Sequence, residues 1–96
     1  MRFFRGPKIA SVLEHELNNL FLRDLEFGGA LVTITSVEVS SDLLQAKVRI
    51  GIIPEEKVPE VLETLESKKR ELQHRLLKKT RLRIVPKLVF EIDSVR

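Results

Sequence analysis

The stretch that decides the fold is Val32-Thr33-Ile34-Thr35-Ser36-Val37-Glu38-Val39-Ser40-Ser41-Asp42-Leu43-Leu44-Gln45-Ala46-Lys47-Val48-Arg49-Ile50-Gly51-Ile52. Its second half alternates strictly. Leu44, Ala46, Val48, Ile50 and Ile52 share one parity, with Gln45, Lys47 and Arg49 opposite. That is the pattern of a strand with one buried face. In its first half Val32, Ile34, Val37 and Val39 are β-branched, but the parity changes at Ser36. A bulge or a switch of buried face produces such a change. Ser40-Ser41-Asp42 supplies turn chemistry, and the short connection implies a hairpin.

Upstream, Gly6-Pro7 reads as a helix start, with Pro in the first turn. Ile9, Leu13, Leu17 and Leu20 recur at helical spacing, flanked by Val12 and Phe21. Gly28-Gly29 closes this unit as a turn. Downstream, Pro54-Glu55-Glu56 leads into a second helix with Pro59 in its first turn. Val58, Val61, Leu62 and Leu65 form its apolar stripe. The stripe should continue at positions 68 and 69, but both are Lys; it resumes at Leu72 and Leu76. Burying lysine is costly, so a break or kink near Ser67 to Arg70 is expected. A continuous helix with snorkelling lysines is the alternative. A last strand is expected over Leu82 to Asp93. There Leu82, Ile84, Leu88, Phe90 and Ile92 share the core parity and Arg81, Arg83, Lys87 and Glu91 the other. Pro86 argues for a bulge or an edge position. The expected architecture is α+β, in the order helix-strand-strand-helix-strand. A three-stranded sheet carries its helices on one face, in a single domain over residues 1–96.

Composition bounds the chemistry. There is no cysteine, hence no disulfide or thiolate metal site, which fits a reducing, cytoplasmic setting. No apolar run approaches the ~18 residues of a membrane span, and the first residues lack the apolar stretch of a signal peptide. His15 and His74 lie in different helices without metal-ligand spacing. Glu55 and Glu56 are sequence neighbours, which do not face each other on a helix. Gly28-Gly29 lacks the partners of a phosphate loop. Catalysis, metal, cofactor and small-molecule substrate are therefore not expected.

The charge is concentrated. Lys68, Lys69, Arg70, Arg75, Lys78, Lys79, Arg81, Arg83 and Lys87 are nine of the seventeen basic residues, and Glu71 is the single acid among them, in a chain of net charge +3. Part of this pattern serves the helix itself, because acids first and bases last complement the helix dipole. The dipole does not account for Arg81 and Arg83, or for Arg2, Arg5 and Lys8 near the start of the chain. A phosphate-rich partner accounts for all of them, since clustered cations displace counterions from nucleic acid. The candidate RNA-binding residues are thus Arg2, Arg5, Lys8, Lys68, Lys69, Arg70, Arg75, Lys78, Lys79, Arg81 and Arg83. Phe90 is the strands' aromatic residue and has core parity, so phosphate and shape contact is expected rather than base stacking on a sheet. The other reading is a protein-interaction module with complementary acidic and basic surfaces.

Three segments carry a family resemblance: Val32 to Val48, Arg81 to Asp93, and Arg5-Gly6-Pro7 ahead of an Ile/Leu helix. Together they resemble the ribosome-binding factor A family of bacterial small-subunit assembly factors. The resemblance implies a KH-like fold of type II order and a non-enzymatic role. It further implies binding to the immature small ribosomal subunit near the neck-helix rRNA, help in maturing the precursor's 5′ end, and an association with cold adaptation. No membrane partner is implied, and the protein is expected to be monomeric off the ribosome. This chain has no G-x-x-G loop of the kind KH domains use to clamp single strands. Family members commonly place a helix kink at an Ala-x-Gly there; the matching positions are Lys68-Lys69-Arg70. Functions of the C-terminal tail found in longer relatives are not expected to transfer.

Overall fold

The computed structural model describes residues 2–93. Strand β1 is Phe3–Phe4, helix α1 is Lys8–Asp24, and strands β2 and β3 are Leu31–Ser40 and Gln45–Ile53. A short 3-10 turn over Glu55–Lys57 leads into helix α2, Val58–Lys79, and strand β4 is Lys87–Ile92. The sheet order is β1-β2-β3-β4. β1 and β2 are each antiparallel to their successor, whereas β4 runs parallel to β3.

The hairpin forms as its pattern requires. Ala46, Val48 and Ile50 are fully buried, opposite Val39, Val37 and Ile34. The parity change is a β-bulge: the register shifts between Ile34 and Ser36, leaving Thr35 as the extra residue. Its hydroxyl donates to the Arg49 carbonyl at 3.2 Å. At the turn, the Ser40 hydroxyl donates to Asp42 Oδ1 at 2.6 Å and accepts from the Gln45 amide at 3.0 Å. Asp42 Oδ1 also accepts the Leu44 amide at 3.0 Å. Leu43 sits between them at φ +63°, the left-handed region that costs a leucine about 1–2 kcal/mol.

Both helices pack on one face of the sheet. α1 contributes Ala10, Leu13, Leu17, Leu20 and Phe21 to the core, and α2 contributes Val61, Leu65, Leu72 and Leu76. The turn after α1 needs positive φ at Gly28 and Gly29, which glycine adopts without steric cost. Pro7 lies one position earlier than expected, as the residue preceding the first turn of α1, and its carbonyl accepts the Ala10 amide at 3.0 Å.

Four expectations are corrected. The sheet has four strands, because Phe3 and Phe4 pair with Ser40 and Val39. Two residues carry too little periodicity to announce a strand. The break expected near Ser67 to Arg70 does not occur: α2 runs unbroken for 22 residues. Lys68 is exposed, and Lys69 is half-buried with its ammonium carried outward to Glu66. The Ser67 hydroxyl donates to the Thr64 carbonyl within the same helix. The last strand begins at Lys87, not Leu82, so Arg81 and Arg83 lie on the preceding loop instead of a strand face. Finally, Leu44 and Ile84 share the core parity of their segments yet are exposed, because each lies outside the paired strand.

Asp42 should set part of the acid stability. The Ser40 hydroxyl first, then the Leu44 amide, holds its carboxyl below the ordinary carboxylate value. A depressed native pKa adds stability above the unfolded value, about 3.9, and that stability is lost as pH falls through the native value. Asp42→Asn should therefore unfold at lower urea than the parent at about pH 6, and the gap should narrow as pH falls below the ordinary carboxylate value. Urea midpoints above and below that value check this.

Candidate nucleic-acid interface

The basic block is distributed by α2 and the loop that follows it. The start of α2 is acidic, with Glu60 in its first turn, and the end is basic, with Lys78 and Lys79 in its last. Thr80 closes the helix: its amide and its hydroxyl both donate to the Leu76 carbonyl, at 2.9 and 2.7 Å. The segment 80–86 is then pinned. Leu82 and Val85 pack against the core and Pro86 is buried, while Arg81 and Arg83 remain exposed.

The candidate cations fall into three groups. Lys78, Lys79, Arg81 and Arg83 form one exposed run, joined by Lys87 at the start of β4; among the described residues none of the five has an ion-pair partner. Lys68 and Arg70 are also exposed and without an ion pair among the described residues, more than two turns before Lys78. Lys69 and Arg75 are engaged within α2. Lys69 Nζ lies 2.7 Å from Glu66 and 5.8 Å from the Phe90 ring centroid, and Arg75 lies 3.6 Å from Glu71.

The N-terminal cations do not join this surface as a unit. Arg5 pairs with Glu38 at 3.4 Å on the open face of the sheet. Lys8 begins α1 and is exposed. Arg2 stacks its guanidinium 5.4 Å from the Phe4 ring, and its carbonyl accepts the Ser41 amide, so it stands beside the hairpin turn.

The open sheet face carries charges that the pattern along the chain did not single out as a group. Arg49 lies 3.7 Å from both Glu38 and Glu91, and Lys47 lies 3.5 Å from Glu91 and over the Phe3 ring at 4.3 Å. With Arg5 these form an ion lattice across β2, β3 and β4. Its three cations share two carboxylates, so it offers phosphate less net attraction than cations without ion-pair partners. Cross-strand register is the signal that would have found it: Glu38 faces Lys47, and Arg49 faces Glu91. A cavity of about 930 Å³ lies at the far end of the sheet from the hairpin turn; Gly51 lines it and its charged lining is Glu55 and Asp93. Among the described residues, no three His, Asp or Glu gather as metal ligands, and no helix is long and apolar enough to cross a membrane.

Comparison with known proteins places this arrangement. The sequence profile of ribosome-binding factor A matches residues 5–96. The chain belongs to the ribosome-binding factor A family. It is 35% identical to ribosome-binding factor A of Akkermansia muciniphila over 94% of this chain and 72% of that protein. It is 40% identical to that of Prochlorococcus marinus over 94% of this chain and 76% of that protein. Its fold resembles the crystal structure of ribosome-binding factor A from Thermus thermophilus, with TM-score 0.65 and 26% identity over 88% of this chain and 87% of that one. It also resembles a Thermus thermophilus ribosome-binding factor A homology model fitted into a cryo-EM map of a 30S complex. That match has TM-score 0.66 and 27% identity over 83% of this chain and 90% of that one. Within this family member, the unbroken α2 directs its free cations toward one end of the molecule.

Lys69 tests how α2 tolerates a cation in its stripe. Lys69→Leu should continue the stripe from Leu65 to Leu72 and raise stability by about 1 kcal/mol, since the position is half-buried and the ion pair is exposed to solvent. A rise in the urea midpoint with unchanged helical circular dichroism checks it.

Proposed function

We propose that this protein is a non-enzymatic assembly factor that binds the immature small ribosomal subunit through rRNA phosphates and assists maturation of the 5′ end of the precursor small-subunit rRNA. The observation that carries the reading is the run Lys78, Lys79, Arg81, Arg83. Four exposed cations without ion-pair partners among the described residues stand on a rigid helix end and a pinned loop. Fixed, unneutralised cations release counterions on meeting a phosphate backbone, whereas the paired cations of the open sheet face do not. Family membership supports the ribosomal partner, and a relative was fitted into a map of its 30S complex. Lys68 and Arg70 add cations further back along α2, Arg2 stands beside the hairpin turn, and Lys8 is a separate exposed cation at the start of α1. Arg5, Lys69 and Arg75 contribute less, because each already has a carboxylate within ion-pair distance.

Co-sedimentation with immature small subunits, mature small subunits and large subunits at two salt concentrations tests the reading. Selective, salt-sensitive binding to small subunits is expected. Equal binding to all three would reduce the surface to general polyanion attraction, and no binding would remove the ribosomal partner. Replacing Lys78 and Lys79 together by Ala should weaken small-subunit binding about tenfold and lower the salt slope by about 1 to 2, with the melting temperature unchanged.

A further inference from the structure

The end of the sheet that holds these cations also exposes three large aliphatic side chains. Leu43 and Leu44 form the tip of the β2–β3 turn, and Ile84 lies on the loop before β4; they are 46%, 60% and 70% exposed. The turn and the loop meet through the start of β4, where the Lys87 amide donates to the Leu44 carbonyl at 2.8 Å. Ile84 is three residues from that bond, at most about 11 Å of chain. Arg81 and Arg83 flank Ile84, and Lys87 sits at the junction.

Two features argue that the aliphatic groups are displayed, not left over. Leu43 occupies a left-handed backbone position where Asn or Gly would be unstrained, and its side chain adds nothing to the core. Ile84 is held outward by a loop whose neighbours Leu82, Val85 and Pro86 all turn in. Asp42 keeps its negative charge while accepting the Ser40 hydroxyl and the Leu44 amide, but Arg81, Arg83 and Lys87 outnumber it, so the surface is cationic on balance and apolar together.

That combination fits one kind of nucleic-acid target. A continuous RNA duplex presents phosphates and 2′-hydroxyls but keeps its base faces stacked and out of reach; a bulge or junction exposes an apolar base face beside phosphates. Proteins that open base steps in DNA do so with apolar wedges such as Leu and Ile accompanied by Arg and Lys, and the same chemistry suits an apolar base face in RNA. We propose that this sheet end recognises an unstacked nucleotide in folded RNA. Arg81, Arg83 and Lys87 hold the flanking phosphates while Leu43, Leu44 and Ile84 cover the exposed base. The inference rests on the RNA-binding reading above and specifies its target.

The test compares two labelled RNA stems, one fully paired and one identical but for a single bulged nucleotide. The native protein should bind the bulged stem about tenfold more tightly, the scale of taking one exposed aliphatic side chain out of water. Leu44→Ser with Ile84→Ser should abolish that preference while keeping affinity for the paired stem and the salt slope. Arg81→Ala with Arg83→Ala should weaken binding to both stems and flatten the slope. Leu43→Asn should raise the urea midpoint and still lower binding to the bulged stem, a divergence that a purely structural role would not produce. Equal affinity of the native protein for the two stems would overturn the proposal, as would a Leu44/Ile84 variant that keeps the preference. A nuclease-resistant complex with an acidic protein, lost in that variant, would overturn it in favour of a protein partner. Selective co-sedimentation with small subunits but no bulge preference would sink this inference alone; bulge preference without small-subunit binding would sink the assembly reading alone.

Discussion

The parallel pairing of β3 with β4 is the constraint on which the rest of the molecule depends. Two adjacent parallel strands need a connection that returns the chain to the starting end of the sheet. Here that connection is α2. Its 22 residues span about 33 Å at 1.5 Å per residue, close to the roughly 30 Å of the nine-residue β3. The helix therefore spans the sheet lengthwise, and its basic end arrives beside the β2–β3 turn. Helix polarity, required for the crossover, puts the acids at one end of the sheet and the bases at the other. The same ordering complements the helix dipole, so folding and surface charge are served by one arrangement.

The crossover also explains why α2 is continuous. A break at Ser67 to Arg70 would shorten its reach and separate Leu72 and Leu76 from the core that Val61 and Leu65 enter. Lys69 is tolerated instead because its stem lies along the sheet edge near Phe90 while its ammonium reaches Glu66. Lysine accommodates such a position at modest cost when its head stays in water. The three-residue basic stretch Lys68-Lys69-Arg70 is thus compatible with a continuous helix.

Charge on this protein divides by partner. On the open sheet face, Arg5, Lys47 and Arg49 stand against Glu38 and Glu91, and each cation has a carboxylate within ion-pair distance. At the end of α2 and on the following loop no acid is within ion-pair reach among the described residues, and the cations remain available. Composition alone, with +3 spread over 96 residues, describes neither surface. The distinction matters for nucleic-acid binding, because only an unneutralised cation gains by displacing counterions.

Much of the fold was legible along the chain. The strict alternation from Ala46 to Ile52, the parity change at Ser36 and the helical stripe of Leu13–Leu17–Leu20 are local periodicities, and each produced the element it implied; the stripe of Val61–Leu65–Leu72–Leu76 gave a helix, but without the break that the lysines between its halves implied. The resemblance of the hairpin and final strand pointed to the family. What tertiary structure decided is whatever depends on residues distant in sequence. Phe3 and Phe4 become a strand only because Ser40 and Val39 offer an edge. Leu82, Val85 and Pro86 turn inward, and Arg81, Arg83 and Ile84 outward, because the parallel pairing begins at Lys87 and leaves the preceding segment to pack as a loop. Which cations are matched and which are free was likewise settled by register and by the path of α2. Sequence order records the charges along one dimension, while pairing is decided by distances across the fold.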